Sequence, residues 1–308
     1  MRSGVDGRPT LPFVPDDVEG HVAGAANGVS TPLDTNGGGS NSVPAALADA
    51  ATRFAFSATP RLDAELLLAH ALGIDRDRLL LDPGRWTAPA AFADLVERRA
   101  AHEPVAYITG TRGFWTLDLA VGPGALVPRA DSETLVEAAL AHFAGRPPAT
   151  LLDLGTGPGT LLLALLAEWP AARGLGVDAS AAALGWARVN AAPFGDRAAF
   201  VQGDWARALF GRFDCIVCNP PYIATAEALA PEVAAYEPAS ALFAGDDGLA
   251  DYRRLAPEFR RLLAPGGAVL VEIGWTQAAA VGDLLRGEGF VVVEHRDLGG
   301  RPRVLLAT

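Results

Sequence analysis

The stretch Leu151-Leu-Asp-Leu-Gly-Thr-Gly-Pro-Gly-Thr160 limits the folds open to this chain more than any other. A short apolar run meets a turn with glycines at 155, 157 and 159, and the apolar run Leu161–Ala167 follows at once. Glycine tolerates positive φ and lets backbone approach a ligand closely. Strand, glycine turn and helix in succession place that turn at the carboxyl edge of a sheet, where ligands bind in α/β folds. Beyond Pro147-Pro148 the pattern repeats. Strands are predicted over 151–154, 174–177, 198–202, 213–218 and 267–273, helices over 159–168, 180–192, 249–263 and 275–287, and closing strands over 290–296 and 302–307. This alternation predicts an α/β, Rossmann-like domain with a mostly parallel seven-stranded sheet covered on both faces. The last two strands, with no helix between them, allow an antiparallel pair at the edge.

The predicted strand ends carry the polar groups. Asp178 closes the second strand, where an acid can hold a ribose diol. The third strand ends in Asp204-Trp205; the indole can wall a base by stacking and Asp204 can accept from its amine. The strand Phe213–Cys218 is cut off by Asn219-Pro-Pro-Tyr222. Asn219 offers an amide oxygen and an NH2 group, Pro220 and Pro221 stiffen the turn and leave bare carbonyl oxygens, and Tyr222 adds a flat face with a polar tip. Together they form a cradle for a planar group bearing NH2, either an amide or a base amine. The G-x-G-x-G spacing is one residue tighter than the dinucleotide fingerprint. With the Asn219–Tyr222 turn it selects S-adenosylmethionine over NAD as the nucleoside cofactor. Glu272, ending the fifth strand, is expected to point towards the cofactor edge, and Asp214 to cap the start of its strand. Arg129 follows Pro128 and either faces solvent or lies near the cofactor.

Composition removes other chemistries. All 25 basic residues are arginine, so Schiff-base, P-loop and kinase lysines are absent. Neither H-E-x-x-H nor G-x-S-x-G occurs, which takes away the usual hydrolase machinery. Cys215 and Cys218 form C-x-x-C, but inside a strand residues three apart face opposite ways. With no second Cys/His pair at zinc spacing they are expected to be buried structural residues, and no metal is expected. A net charge of −11 opposes broad nucleic-acid binding, which depends on phosphate neutralisation. No apolar run approaches the ~18–20 residues needed to span a bilayer, and the start lacks a signal-peptide pattern; a cytoplasmic location with no membrane partner is expected.

Residues 1–41 are rich in Gly, Pro, Ser, Asn and Asp without periodicity and are expected to form a disordered tail. Over 42–112 apolar residues recur at helical spacing in Ala45–Phe54, Ala64–Leu72, Arg76–Leu81 and Ala88–Ala101, which predicts a small helical domain serving as a stabilising cap or a dock for a macromolecular substrate. Residues 113–128 alternate around Gly122-Pro-Gly124 and predict a linking β-hairpin; the remaining domain is expected over 129–308, with Asp131 or Ser132 capping its first helix. Arg253, Arg254, Arg260 and Arg261 are expected to form a solvated helix face.

From about Arg61 onward the chain resembles the bacterial peptide-chain-release-factor glutamine N5-methyltransferases (the PrmC/HemK family). The likeness rests on Arg61-Leu-Asp-Ala-Glu-Leu-Leu-Leu68, Glu103-Pro-Val-Ala-Tyr-Ile-Thr-Gly110, Phe114-Trp-Thr-Leu117, Val127-Pro-Arg-Ala-Asp-Ser-Glu133, the glycine turn, Asn219-Pro-Pro-Tyr222 and Glu237-Pro-Ala-Ser-Ala-Leu242. The resemblance implies methylation of the glutamine in the Gly-Gly-Gln motif of class I peptide chain release factors. It also implies cofactor contacts from Gly155, Thr156, Gly157, Pro158, Gly159, Asp178, Trp205 and Asn219, with Asn219, Pro220, Pro221 and Tyr222 around the glutamine. Ala130 and Pro158 depart from the family's usual proline and Thr or Ser; neither change removes a reacting group. Three other readings share the motifs: a ribosomal-protein glutamine methyltransferase, an adenine-N6 nucleic-acid methyltransferase, and a non-catalytic cofactor-binding scaffold. The net charge counts against the nucleic-acid enzyme, and a scaffold has no need of a preorganised amide cradle.

Overall fold

Strand Phe213–Cys218 occupies the middle of a seven-stranded sheet in a computed structural model that describes residues 42–308. The expected tail, 1–41, lies outside the described residues. The sheet strands are β3 (Thr150–Leu154), β4 (Arg173–Asp178), β5 (Ala198–Gln202), β6 (Phe213–Cys218), β7 (Leu263–Glu272), β8 (Val292–Arg296) and β9 (Pro302–Ala307), in the order β5-β4-β3-β6-β7-β9-β8. Pairing is parallel from β5 to β7, while β9 runs antiparallel between β7 and β8. The expected sheet and its antiparallel edge are both present.

Helices cover both faces, so β6 is apolar throughout rather than alternating. Cys215 and Val217 pack in one core layer with α6 (Glu133–His142) and α7 (Thr160–Glu168). Ile216 and Cys218 pack in the other with α10 (Ala250–Leu262) and α11 (Ala278–Gly287). The two thiols thus face opposite ways, as the strand period requires. Asp214 fixes the far end of β3: its Oδ2 accepts from the Ala149 and Thr150 amides at 3.0 and 2.9 Å. α8 (Ala181–Asn190) begins at Ser180, whose hydroxyl oxygen accepts from the Ala183 amide, the side-chain cap this residue type favours.

The N-terminal helices are α1 (Val43–Arg53), α2 (Pro60–Leu72), α3 (Arg76–Leu81), α4 (Ala91–Ala100) and α5 (Val105–Thr109), packed around Leu47, Phe54, Leu67, Leu68 and Leu79. Pro60 opens α2, where its missing N–H costs nothing, and Gly73 ends it in the left-handed conformation.

The hairpin differs from the expectation. β1 (Thr111–Phe114) pairs with β2 (Leu117–Ala120), so the turn lies at Trp115-Thr116 and the 112/113 division falls inside β1. Gly122 is small for another reason: a Cβ there would stand 2.5 Å from the Trp186 ring on α8. The glycine-proline signal therefore marks a close crossing over a helix instead of the hairpin turn.

Candidate active site

β3, β4 and β6 end side by side, and the chain reverses its order of strand addition between β3 and β6. Such a switch point opens a crevice at the carboxyl edge. Gly155 leaves β3 with φ 75°, and the Gly155 and Thr156 amides both donate to the Val177 carbonyl. Asp178 locks the turn from β4: Oδ2 accepts from the Gly157 amide and Oδ1 from the Ser180 amide, each at 2.8 Å. Carboxylate oxygens have lone pairs beyond these, and Asp178 faces a cleft of about 280 Å³ lined also by Gly155, Gly157, Trp205, Asn219 and Pro221. Trp205 holds φ 51°, unusual for a bulky residue, and its indole N–H donates to Asp251 at 3.1 Å. A Cβ on Gly155 would touch the Trp205 ring at 3.0 Å, so the glycine keeps the cleft open beside the indole.

The rest of the turn looks elsewhere. The Thr156 hydroxyl donates to Asp153 Oδ2 at 2.7 Å beneath the turn. Thr156 and Pro158 line a recess of about 50 Å³ shared with Arg129, Ser132, Asp153 and Asn219. Gly159 lines neither recess nor cleft and opens α7. Burial pushes the Asp153 carboxyl up to about 7, against the hydrogen bonds from Thr156 and the Leu162 amide. Asp204 reaches the cleft rim, where Arg254 holds both its oxygens at 2.6 and 2.8 Å. Arg254 is exposed, as expected, and also lines the cleft.

Asn219-Pro-Pro-Tyr222 divides two spaces. Asn219 and Pro221 line the cleft and Pro220 is buried, while Tyr222 lines a separate cavity of about 470 Å³ with Arg129, Asp131, Glu272, Gln277 and Arg303. The Asn219 NH2 donates to the Ser132 hydroxyl oxygen at 3.3 Å. The Gln277 amide donates to the Tyr222 carbonyl at 2.9 Å, and its own oxygen accepts from the Gly274 amide. The following chain is stitched down by Ile223 pairing with Leu242 and Ala244. Burial, with Glu272 nearby, pushes the Tyr222 hydroxyl up to about 12, so it stays protonated through the neutral range.

Glu272 ends β7 beside Asn219, because Cys218 is in register with Val271. It faces the cavity beyond the turn, which corrects the expectation that it points to the cofactor edge. It is 1% exposed, and its Oε2 has no hydrogen-bond partner among the described residues. Burial pushes its carboxyl up to about 7, opposed by hydrogen bonding from Ser132 and Asn219 and by the Arg303 charge. Arg129 reaches the same cavity and pairs with the buried Glu237, which also accepts from the Val127 amide at 3.2 Å. Sequence reasoning missed Gln277 and Glu237 as supports, and saw Ser132 only as a possible cap. Ser132 forms no such cap; it is buried against Asn219. Its position three residues after Arg129 was the available signal.

Comparison with known proteins adds a second kind of observation. Residues 45–110 match the PrmC N-terminal domain family and residues 131–236 the methyltransferase small domain family. A release factor glutamine methyltransferase of Caulobacter vibrioides is 46% identical over 256 residues, covering 80% of this chain and 89% of its own. A protein of the same description from Rhodospirillum rubrum is 48% identical over 256 residues, covering 80% of this chain and 78% of its own. Among solved structures, a methyltransferase from Pyrococcus furiosus aligns at 17% identity with a TM-score of 0.46, covering 68% of this chain and 97% of that one.

Proposed function

The chain belongs to the release factor glutamine methyltransferases, and we propose that it moves the methyl group of S-adenosylmethionine to the side-chain nitrogen (N5) of the glutamine in the Gly-Gly-Gln motif of class I peptide chain release factors. The observation that carries this reading is the Asn219–Tyr222 turn standing between the cleft and the cavity. A donor on one side and an acceptor amide on the other would meet across Asn219.

The cleft suits the cofactor. Asp178 retains acceptor capacity for ribose hydroxyls, the Trp205 indole offers a stacking wall, and the missing side chain at Gly155 leaves room beside it. Gly155, Gly157, Asp178, Trp205 and Asn219 would hold it, with Thr156, Pro158 and Gly159 shaping the turn from behind. Bound there, the cofactor supplies an electrophilic sulfonium methyl.

The chain's own residues then have to prepare a poor nucleophile. An amide nitrogen delocalises its lone pair into the carbonyl. Acceptance of its two N–H groups by Asn219 Oδ1 and the Pro220 carbonyl would aim that lone pair at the cleft. Tyr222 would stack on the amide plane, and the walls around Pro220 and Pro221 would exclude water. No strong base is required, since a nitrogen that has gained a methyl group sheds its proton readily. The helical domain, 42–112, is proposed to dock the protein substrate. The modification would act on translation termination, placing the protein in the cytoplasm, and stable nucleic-acid binding is not expected.

The test offers labelled S-adenosylmethionine with release factor, ribosomal protein and nucleic acid in separate reactions. Label on the release-factor glutamine, located by mass spectrometry, is expected; label confined to nucleic acid would sink the reading. Asn219→Ala should abolish transfer with only a modest loss of cofactor affinity.

A further inference from the structure

Glu272 is costly where it stands. A carboxylate 1% exposed at a strand end loses its hydration, and a structural role would ordinarily repay that with an ion pair. Arg303 is the nearby cation, yet its Nη2 is directed to Asp131 at 3.1 Å and Asp297 at 3.3 Å, leaving Glu272 without an ion-pair partner among the described residues. Its Oε2 has no hydrogen-bond partner among the described residues. The groups that do face it belong to the amide cradle: the Ser132 hydroxyl and the Asn219 side chain.

We propose that Glu272 is a positioning residue for the transfer, which through Ser132 fixes which way the Asn219 amide points. An ionised carboxylate can only accept. Towards an ionised Glu272 the neighbouring Ser132 hydroxyl can act only as a donor, which turns its lone pairs to Asn219. Asn219 in turn must present its NH2 to Ser132, as it does at 3.3 Å, and its Oδ1 is left for the acceptor amide. The direction of the whole chain of hydrogen bonds is set by the residue that cannot donate. A glutamine at 272, or a protonated Glu272, can donate to Ser132. The chain can then reverse, placing the Asn219 NH2 against the incoming NH2, donor against donor. This inference rests on the amide-methylation reading above.

The other groups around Glu272 are Arg303 on β9, Asp131 before α6, Tyr222 after β6, Tyr252 on α10 and Cys218 on β6. Tyr252 donates to the Glu272 backbone carbonyl at 2.8 Å, not to the carboxylate. The Cys218 thiol and both tyrosine hydroxyls are pushed up by burial and keep their protons near neutrality, whereas Glu272, and Asp153 in the recess it shares with Ser132 and Asn219, are raised to about 7 and change charge there.

The experiment compares the wild-type protein with Glu272→Gln, Ser132→Ala and Ser132→Thr. Wild-type kcat should rise with pH through about 7 as Glu272 ionises. Glu272→Gln should lose that limb and about tenfold to a hundredfold in kcat, with KM for S-adenosylmethionine unchanged and thermal stability at pH 8 undiminished. Ser132→Ala should show the same loss, and Ser132→Thr, which keeps a hydroxyl, should recover part of it. Independently of turnover, the Asn219 side-chain amide signals in a ¹⁵N NMR titration should move through the Glu272 transition and stop doing so in Glu272→Gln. Wild-type kcat and pH profile in Glu272→Gln, or an Asn219 amide indifferent to that transition, would overturn the proposal. Should the wild-type protein fail to methylate release factor, the functional reading falls, and the NMR titration still decides whether Glu272 orients Asn219.

Discussion

Gly248 illustrates how closely the turn is held by residues that never touch an acceptor. Its φ is 70°, and a Cβ would lie 2.3 Å from the Tyr222 carbonyl, the same oxygen that takes the Gln277 hydrogen bond. Gly248→Ala combines backbone strain with a displaced turn. It should cost about 1–3 kcal/mol in a thermal melt and lower kcat more than it raises KM for the cofactor. Asp153 gives a second test at this scale, this time of pH dependence. Its folded-state value, about 7, lies above that of an exposed carboxyl, so the native protein holds the proton more tightly than the unfolded chain. That contribution is fully present below the unfolded carboxyl range and is lost as pH rises through about 7. Thermal midpoints between pH 5 and 8 should therefore decline more steeply for the wild-type protein than for Asp153→Asn. Comparing the two removes the opposite trend of His142, whose value burial lowers.

Among the elements, the tie between Arg129 and Glu237 joins the segment before α6 to the short helix α9 (Pro231–Tyr236). Glu237 is buried, so Glu237→Ala leaves the Val127 amide and the Arg129 guanidinium without their acceptor. The expected loss is about 1–3 kcal/mol by urea denaturation, kept moderate because Arg129 is partly exposed. A fall in kcat should accompany it, since Arg129 lines both the recess and the cavity. The central strands were readable in the sequence because burial on both faces makes them continuous apolar runs ended by functional turns. α5 and α9 were not: five and six residues give little helical period, and the prolines at 104 and 231 read as breaks, whereas the equally short α3 carries three leucines in succession. The hairpin turn escaped for a different reason. Trp115 takes a positive φ of 55° without glycine, held by its amide donating to Glu133 and its indole donating to Glu168. The same limit applies at the site. Asn219 and Asp178 lie in local motifs, whereas Ser132, Glu272 and Gln277 meet them only through tertiary packing.

At the scale of the whole molecule, a nearly buried cation ties the helical domain to the sheet domain. Arg99 on α4 pairs with Asp63 on α2 at 2.8 Å and with Glu232 on α9 at 2.6 Å. Its guanidinium also lies 4.9 Å above the Phe56 ring and donates to the Glu103 carbonyl. Tyr236 adds a bond from its hydroxyl to the Ala101 carbonyl at 2.9 Å, on the same seam. Arg99→Ala strands the Asp63 carboxylate in the interior, and breaking a buried pair from one side costs about 3–5 kcal/mol. Glu232→Ala, by contrast, cuts only the contact across the seam and leaves the Arg99–Asp63 pair whole. If the helical domain docks the protein substrate, loosening the seam should act on substrates by size. Glu232→Ala should raise KM for an intact release factor while leaving KM for a short Gly-Gly-Gln peptide unchanged, because the peptide reaches only the cavity beside Tyr222. Steady-state kinetics with both substrates checks this. An equal effect on peptide and intact protein would assign the helical domain a purely stabilising role, since a cap that steadies the fold has no means of telling a long substrate from a short one.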